Sequence, residues 1–182
     1  MSAKKAFFKS AGSEGAPLER IRTFGDPVLK QPTKPVTVFD SRLEKLARVM
    51  MEVMDRGEGV GLAANQIGVL TRVMVWRHPE DDTERYVFVN PGIVERSEAC
   101  CTASEGCLSV PDATMEISRA EEVVVEAQDL KGEPIRVHLT DLLARIVQHE
   151  IDHLDGTLIL DRTSPEERVR VMKELRERTL AV

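Results

Sequence analysis

The stretch that most limits what this chain can fold into is His149-Glu150-Ile151-Asp152-His153. It asks for one uninterrupted helix. At about 100° per residue, positions four apart differ by roughly 40° around the axis, so both imidazoles leave one face and can share a metal ion. Glu150 lies about 100° from His149 and about 60° from His153, within reach of a water on that ion without ligating it. The flanks suit a helix. Thr140 is a good N-cap, Asp141 favours the positive end, and Gly156 is a natural stop. Leu142, Leu143, Ile146 and Val147 precede the motif. A polar surface helix that spelled the pattern by accident would not carry so apolar an approach.

A catalytic metal usually keeps three protein ligands and one open position. No His follows His153. Glu166, Glu167 and Glu174 lie beyond it, on a segment that reads as a charged, solvated helix. Upstream stands Cys107, within Glu105-Gly106-Cys107-Leu108-Ser109. Its thiolate would be a strong ligand for zinc or ferrous iron; its other reading is a small buried core residue. Cys100 and Cys101 read as core or strand positions. A third segment, Gly59-Val60-Gly61-Leu62-Ala63-Ala64-Asn65-Gln66, has glycines that let another backbone approach closely. It lacks the Lys-Ser/Thr ending of a phosphate loop. Gln66 offers an amide donor that could face a developing oxyanion.

The 182 residues suit one domain, read here as 18–182 behind a flexible extension over 1–17. A net charge of −6 argues against a dedicated nucleic-acid binder, while leaving room for ribosome docking through a local basic patch. No apolar run reaches the roughly 18 residues of a membrane span, and no signal-peptide h-region is visible. Three clustered cysteines make no disulfide framework, and free thiols point to a reducing compartment, the cytoplasm. An organelle-targeting reading of Lys4, Lys5 and Lys9 is weaker, because transit peptides favour Arg.

Hydrophobic periodicity divides the domain further. Ser41 with Glu44 reads as a capping box, followed by Leu43, Leu46, Met50 and Val53 at helical spacing, with Gly57 to end the helix. Arg72 to Trp76 and Arg85 to Val89 read as strands, with Asn90-Pro91 as punctuation. Val123, Val125 and Ala127 alternate, as do Ile135, Val137 and Leu139, around a turn over Asp129 to Gly132. Ser164, Pro165 and Glu167 open a third helix with Val169, Met172 and Leu175 as its apolar stripe. Runs of strands followed by helices indicate an α+β fold.

Taken together, Gly59 to Gln66, Glu105 to Ser109 and Gln148 to Gly156 resemble the three motifs of the peptide deformylases, in the same order. The likeness runs from about Ile21 to the C-terminal helix. It implies antiparallel sheets packed around a central helix bearing H-E-x-x-H, with a C-terminal helix. It implies one divalent metal per chain on Cys107, His149 and His153, with ferrous iron preferred and zinc, nickel or cobalt able to occupy the site. It implies Glu150 as general base and acid, and Gln66 with the Leu108 N–H as oxyanion donors. The substrate would be the N-formyl-methionyl end of a nascent polypeptide, met by a monomer that carries no direct nucleic-acid motif and makes no membrane contact. Val60, Gly61 and Glu105 could offer backbone partners to an extended N-terminus. Val60, Leu108, Leu142, Ile146 and His149 are candidates for a methionine pocket. Arg145 stands where a family member is more often apolar. Two rivals remain at this stage: an endoprotease with Glu166, Glu167 or Glu174 as third ligand, and a structural-metal protein. A last expectation is that Glu58, Arg119 and Asp152 form a clamp behind the metal site.

Overall fold

The computed structural model describes residues 20–180. The expected extension over 1–17 lies outside the described residues.

Among the described residues, three α-helices and seven strands carry the fold: α1 (Ser41–Arg56), β1 (Gly61–Ala63), β2 (Val73–His78), β3 (Asp81–Arg96), β4 (Cys100–Cys107), β5 (Val110–Ala120), β6 (Glu122–Gln128), β7 (Pro134–Thr140), α2 (Asp141–Leu154) and α3 (Pro165–Leu180). Five strands form an antiparallel sheet in the order β1-β2-β3-β6-β7, and β4 and β5 form a separate two-stranded hairpin. The α+β reading therefore holds.

The large sheet is covered on both faces, which explains the unbroken apolar run in β2. Val73 and Val75, with Leu62, Val87 and Val89, pack on Met50, Val53 and Met54 of α1. Met74, Trp76 and Phe88 face the other way, onto Ile146, Val147, Ile151 and Leu154 of α2. A strand buried on both faces loses the in–out alternation of a half-exposed one. The hairpin has its own small core, where Met115 and Ile117 meet Ile159, Leu160 and Val171.

Several boundaries differ from the sequence reading. The α1 cap is Asp40, whose carboxylate accepts from Arg42 N at 2.9 Å; Ser41 is already helical. Asn90-Pro91 does not end a strand. Asn90 adopts φ 53°, the register shifts there, and β3 passes from pairing with β2 to pairing with β6. A proline has no ladder donor to lose at such a bulge. Thr140 occupies the N-cap of α2 without a side-chain capping bond. On α3, Val169 and Met172 are exposed (70% and 38%) and Val171 is fully buried, so of the expected stripe only Leu175 packs inward, beside Val171. Polar contacts set the rotation of α3: Glu167 accepts from Glu116 N and Arg170 donates to the Thr114 carbonyl. Cys100 and Cys101 lie exposed on β4, so their strand reading holds and the core reading does not.

The turn over Asp129 to Gly132 is as expected, with Gly132 at φ 84°. Gly156 ends α2 at φ 75°; a Cβ there would stand 2.7 Å from the Lys30 carbonyl oxygen. Among the described residues, no helix is long and apolar enough to cross a membrane.

Candidate active site

Residues 146–154 of α2 are all buried, including Gln148, His149, Glu150, Asp152 and His153. Buried polar groups need partners, and the site is organised by where these find theirs. His149 and His153 rise from one face with ring centroids 5.0 Å apart. The end of β4 brings Cys107 to them, with Sγ 3.2 Å from His153 Nε2. Ligand atoms of Cys107, His149 and His153 all lie within 4.8 Å of one another.

Three observations test whether a metal fits. The donor set is one sulfur and two imidazole nitrogens, suited to zinc or ferrous iron. His149 Nδ1 pairs with Glu105 Oε2 at 3.0 Å, leaving Nε2 for the cluster, and an outer partner of this kind is what orients a ligand histidine. Glu150 Oε2 is buried without a hydrogen-bond partner beside the cluster. The residues fit the group.

The electrostatics agree. Burial pushes the Cys107 thiol up, but the His153 and His149 imidazoles facing it draw it well below the usual thiol range. Burial pushes His149 down, yet the Cys107 sulfur and the Glu105 carboxylate hold it well above an ordinary histidine. Burial raises the Glu150 carboxyl. Gly61 makes room for that carboxylate, since a Cβ at position 61 would come within 2.8 Å of Glu150 Cγ.

Gln66, 1% exposed, is held at both ends. Its Oε1 accepts from Ala63 N at 2.8 Å, and its Nε2 lies 3.2 Å from Ser109 Oγ and 3.8 Å from Cys107 Sγ. A cavity of about 610 Å³ opens above these groups. Gly59, Val60 and Gly61, at the start of edge strand β1, line it together with Ser104 to Leu108. Leu142, Ile146 and His149 of α2 line it as well, with Leu142 51% exposed.

With this geometry in view, comparison with known proteins is specific. The polypeptide deformylase family model matches residues 18–169. The chain belongs to the polypeptide deformylase family. It is 46% identical over 159 residues to a peptide deformylase of Acidothermus cellulolyticus, covering 86% of this chain and 85% of that one. It is 49% identical over 150 residues to one from Heliobacterium modesticaldum, covering 81% and 97%. Among solved structures, the peptide deformylase of Legionella pneumophila superposes with a TM-score of 0.83 at 40% identity, covering 88% of this chain and 95% of that one. That of Thermotoga maritima gives 0.75 at 44%, covering 80% and 97%.

Within this deformylase site, the residues singled out from sequence are brought together. Val60, Gly61, Gln66, Glu105, Cys107, Leu108, Leu142, Ile146, His149 and Glu150 all line the cavity. Glu166, Glu167 and Glu174 are not in the ligand cluster, and Glu167 and Glu174 bind Arg170 instead.

The clamp needs correcting. Arg119 does join two carboxylates, but they are Glu105 (2.6 and 2.9 Å) and Asp152 (2.8 Å). Glu58 is exposed, in a left-handed turn beyond α1. The missing signal was the β4–β5 hairpin. Its register sets Cys101 opposite Arg119 and Glu105 opposite Met115, so Glu105 and Arg119 share the inner face. The Glu105 side chain thus serves the protein itself. Ser109 was missed as well: its N–H points at Cys107 Sγ (3.4 Å) while its Oγ meets Gln66.

Proposed function

We propose that this chain hydrolyses the N-formyl group from the formyl-methionine that begins a newly made polypeptide, giving formate and a free amino terminus. The observation that carries the reading is the Cys107, His149 and His153 cluster, of which Cys107 and His149 line a cavity, with the unpartnered Glu150 carboxylate oxygen beside it.

Cys107, His149 and His153 would hold a divalent metal, which when bound would supply Lewis acidity and bring the pKa of water towards neutrality. We take ferrous iron as that ion. Glu150 draws the proton from the attacking water as it adds to the formyl carbon. Burial suits it to this, because a raised carboxyl pKa lies nearer the operating pH. Negative charge gathering on the formyl oxygen is met by the Gln66 amide and the Leu108 N–H, typically worth ~3 kcal/mol per donor. Glu150 then returns the proton to the leaving amine. The peptide lies extended between the Gly59–Gly61 side and the Ser104–Leu108 side, adding a strand. The methionine side chain sits among Val60, Leu108, Leu142, Ile146 and the His149 ring.

The test is formate release from a formyl-Met dipeptide by protein purified without oxygen, with metal content measured on the same sample. We expect turnover, about one metal per chain and mostly iron. Metal-loaded protein that releases no formate would overturn the activity, and a fully active, stoichiometric zinc form would overturn the choice of iron. Cys107→Ala should abolish metal binding and turnover together; an endoprotease using a glutamate of α3 would survive it.

A further inference from the structure

One charged side chain in the cavity wall has no part in the reaction. Arg145 stands one helical turn before His149 on α2, its side chain 12% exposed. Its Nη1 donates to Glu105 Oε1 at 2.6 Å and to the Ile117 carbonyl at 2.9 Å. Its Nη2 donates to the Cys101 carbonyl at 2.6 Å. One guanidinium therefore ties α2 to both strands of the β4–β5 hairpin.

The division of the active site gives this tie its weight. Cys107 and Leu108 come from the hairpin end, whereas His149, Glu150 and His153 belong to α2. Among the described residues, the hairpin shares no backbone ladder with the large sheet. Backbone bonds hold its root (Ser97 to Glu122, Glu121 to Ala99) and its end (Phe24 to Ser109), and the contacts between its inner face and α2 are made by side chains crossing the seam. Arg119 crosses from β5 to Asp152, and Gln148 from α2 to the Ala120 carbonyl. Arg145 crosses to β4 and β5 at once. It also completes the set of donors on Glu105: Oε1 receives Arg119 Nε and Arg145 Nη1, while Oε2 receives Arg119 Nη2 and His149 Nδ1. A carboxylate gripped by four donors cannot swing, and the His149 ring is fixed with it.

We propose that Arg145 is a positioning residue for the metal site. It holds Glu105 against the His149 ring and sets the separation between the hairpin that carries Cys107 and the helix that carries both histidines. This rests on reading Cys107, His149 and His153 as metal ligands, and is independent of formyl hydrolysis. A lysine could keep the charge near Glu105. It lacks the planar fork that reaches a carboxylate and two carbonyls together.

The experiment compares wild type, Arg145→Leu, Arg145→Lys and, as a control, Arg136→Leu, which removes a surface pairing with Glu95 and Glu126 on the large sheet. Each is loaded with cobalt(II) without oxygen. Its loss to excess chelator is followed by the thiolate–cobalt absorption band, at a temperature where every form is folded. We expect Arg145→Leu to release cobalt about 10- to 100-fold faster than wild type, the usual size for loss of a residue supporting a metal ligand. Arg145→Lys should fall between, and Arg136→Leu should match wild type. A merely structural arginine would lower the melting temperature of the metal-free protein and leave release from the folded form unchanged. If Arg145→Leu does not fold, Arg145→Lys decides alone. Release within about twofold of wild type from every folded Arg145 variant overturns the proposal. A wild-type chain without the thiolate–cobalt band overturns the ligand reading and the proposal with it.

Discussion

Glu150 is the proposed general base, and it lies buried beside the Cys107, His149 and His153 cluster. It is 4% exposed, one of its oxygens lacks a partner, and Gly61 leaves space at its side. Glu150→Gln keeps this shape but cannot accept a proton. The variant should bind metal as wild type does and lose at least ~100-fold in kcat, given the usual size of general-base effects. A smaller loss in a metal-loaded sample would assign the proton transfer elsewhere. Tyr86, the single tyrosine, gives a second test at this scale. It stacks on Trp76 with centroids 4.2 Å apart, and its hydroxyl donates to Glu84 Oε2 at 2.8 Å. Burial, then the Glu84 hydrogen bond and the charges of Glu84 and Asp81, push its pKa up to about 12. The folded chain therefore keeps this proton after an unfolded chain has released it near pH ~10. Stability from this group is complete below that pH and is lost as pH rises through about 12. Absorbance at 295 nm should show one late phenolate transition; a midpoint near the ordinary value would contradict the packing.

Among the elements, the β4–β5 hairpin matters most, because it delivers Cys107 and meets α2 through side chains. Arg119 is 6% exposed between Glu105 and Asp152, and Arg162 holds Asp152 from the outer side at 2.6 Å. Removing one partner of a buried pair typically costs ~3–5 kcal/mol, and with Arg145 still on Glu105 and Arg162 still on Asp152 the lower end of that range applies here. Arg119→Ala should lose about that much in chemical denaturation, whereas Arg136→Ala, on an exposed pair, should lose ~1 kcal/mol or less. Equal losses would show that the Arg119 pairs are worth no more than surface ones. At β1, Gly61→Ala would drive a methyl into the Glu150 carboxylate. Because the side chain it displaces is the proposed base, turnover should fall far more than the melting temperature. The reverse ranking would make Gly61 a packing residue.

For the molecule as a whole, the candidate metal site sits where the hairpin meets the helix that covers the large sheet, so a bound ion would join the two. An ion that binds only the folded state stabilises it by RT ln(1 + [L]/Kd), about 4 kcal/mol at a thousandfold excess over Kd. Stripping the metal with a chelator should therefore lower the melting temperature of wild type. Cys107→Ser should melt at one temperature with or without chelator. A wild-type melting curve indifferent to chelation would mean that the ion does not link the two parts.

The sequence by itself determined what depends on local spacing. Two histidines four apart on a capped helix share a face in any fold, so His149 and His153 were legible together with Glu150 between them. The alternation of Val123, Val125 and Ala127 gave β6, and Gly132 and Gly156 marked turns that need positive φ. The proposed third ligand was not local. Residue spacing left Cys107 open against three glutamates, and only its likeness to known motifs favoured it, because it stands 42 positions before His149, across three strands and the first turns of α2. Tertiary structure decided the rest. The β4–β5 hairpin escaped periodicity because β4 is polar and largely exposed, although Ala113, Met115 and Ile117 on β5 do alternate. Without its register, Arg119 was matched with Glu58 instead of Glu105. Nor could spacing show that Arg145 reaches two strands. A salt bridge between residues far apart in the chain is chosen by which elements pack together, and that choice belongs to the whole core rather than to either residue.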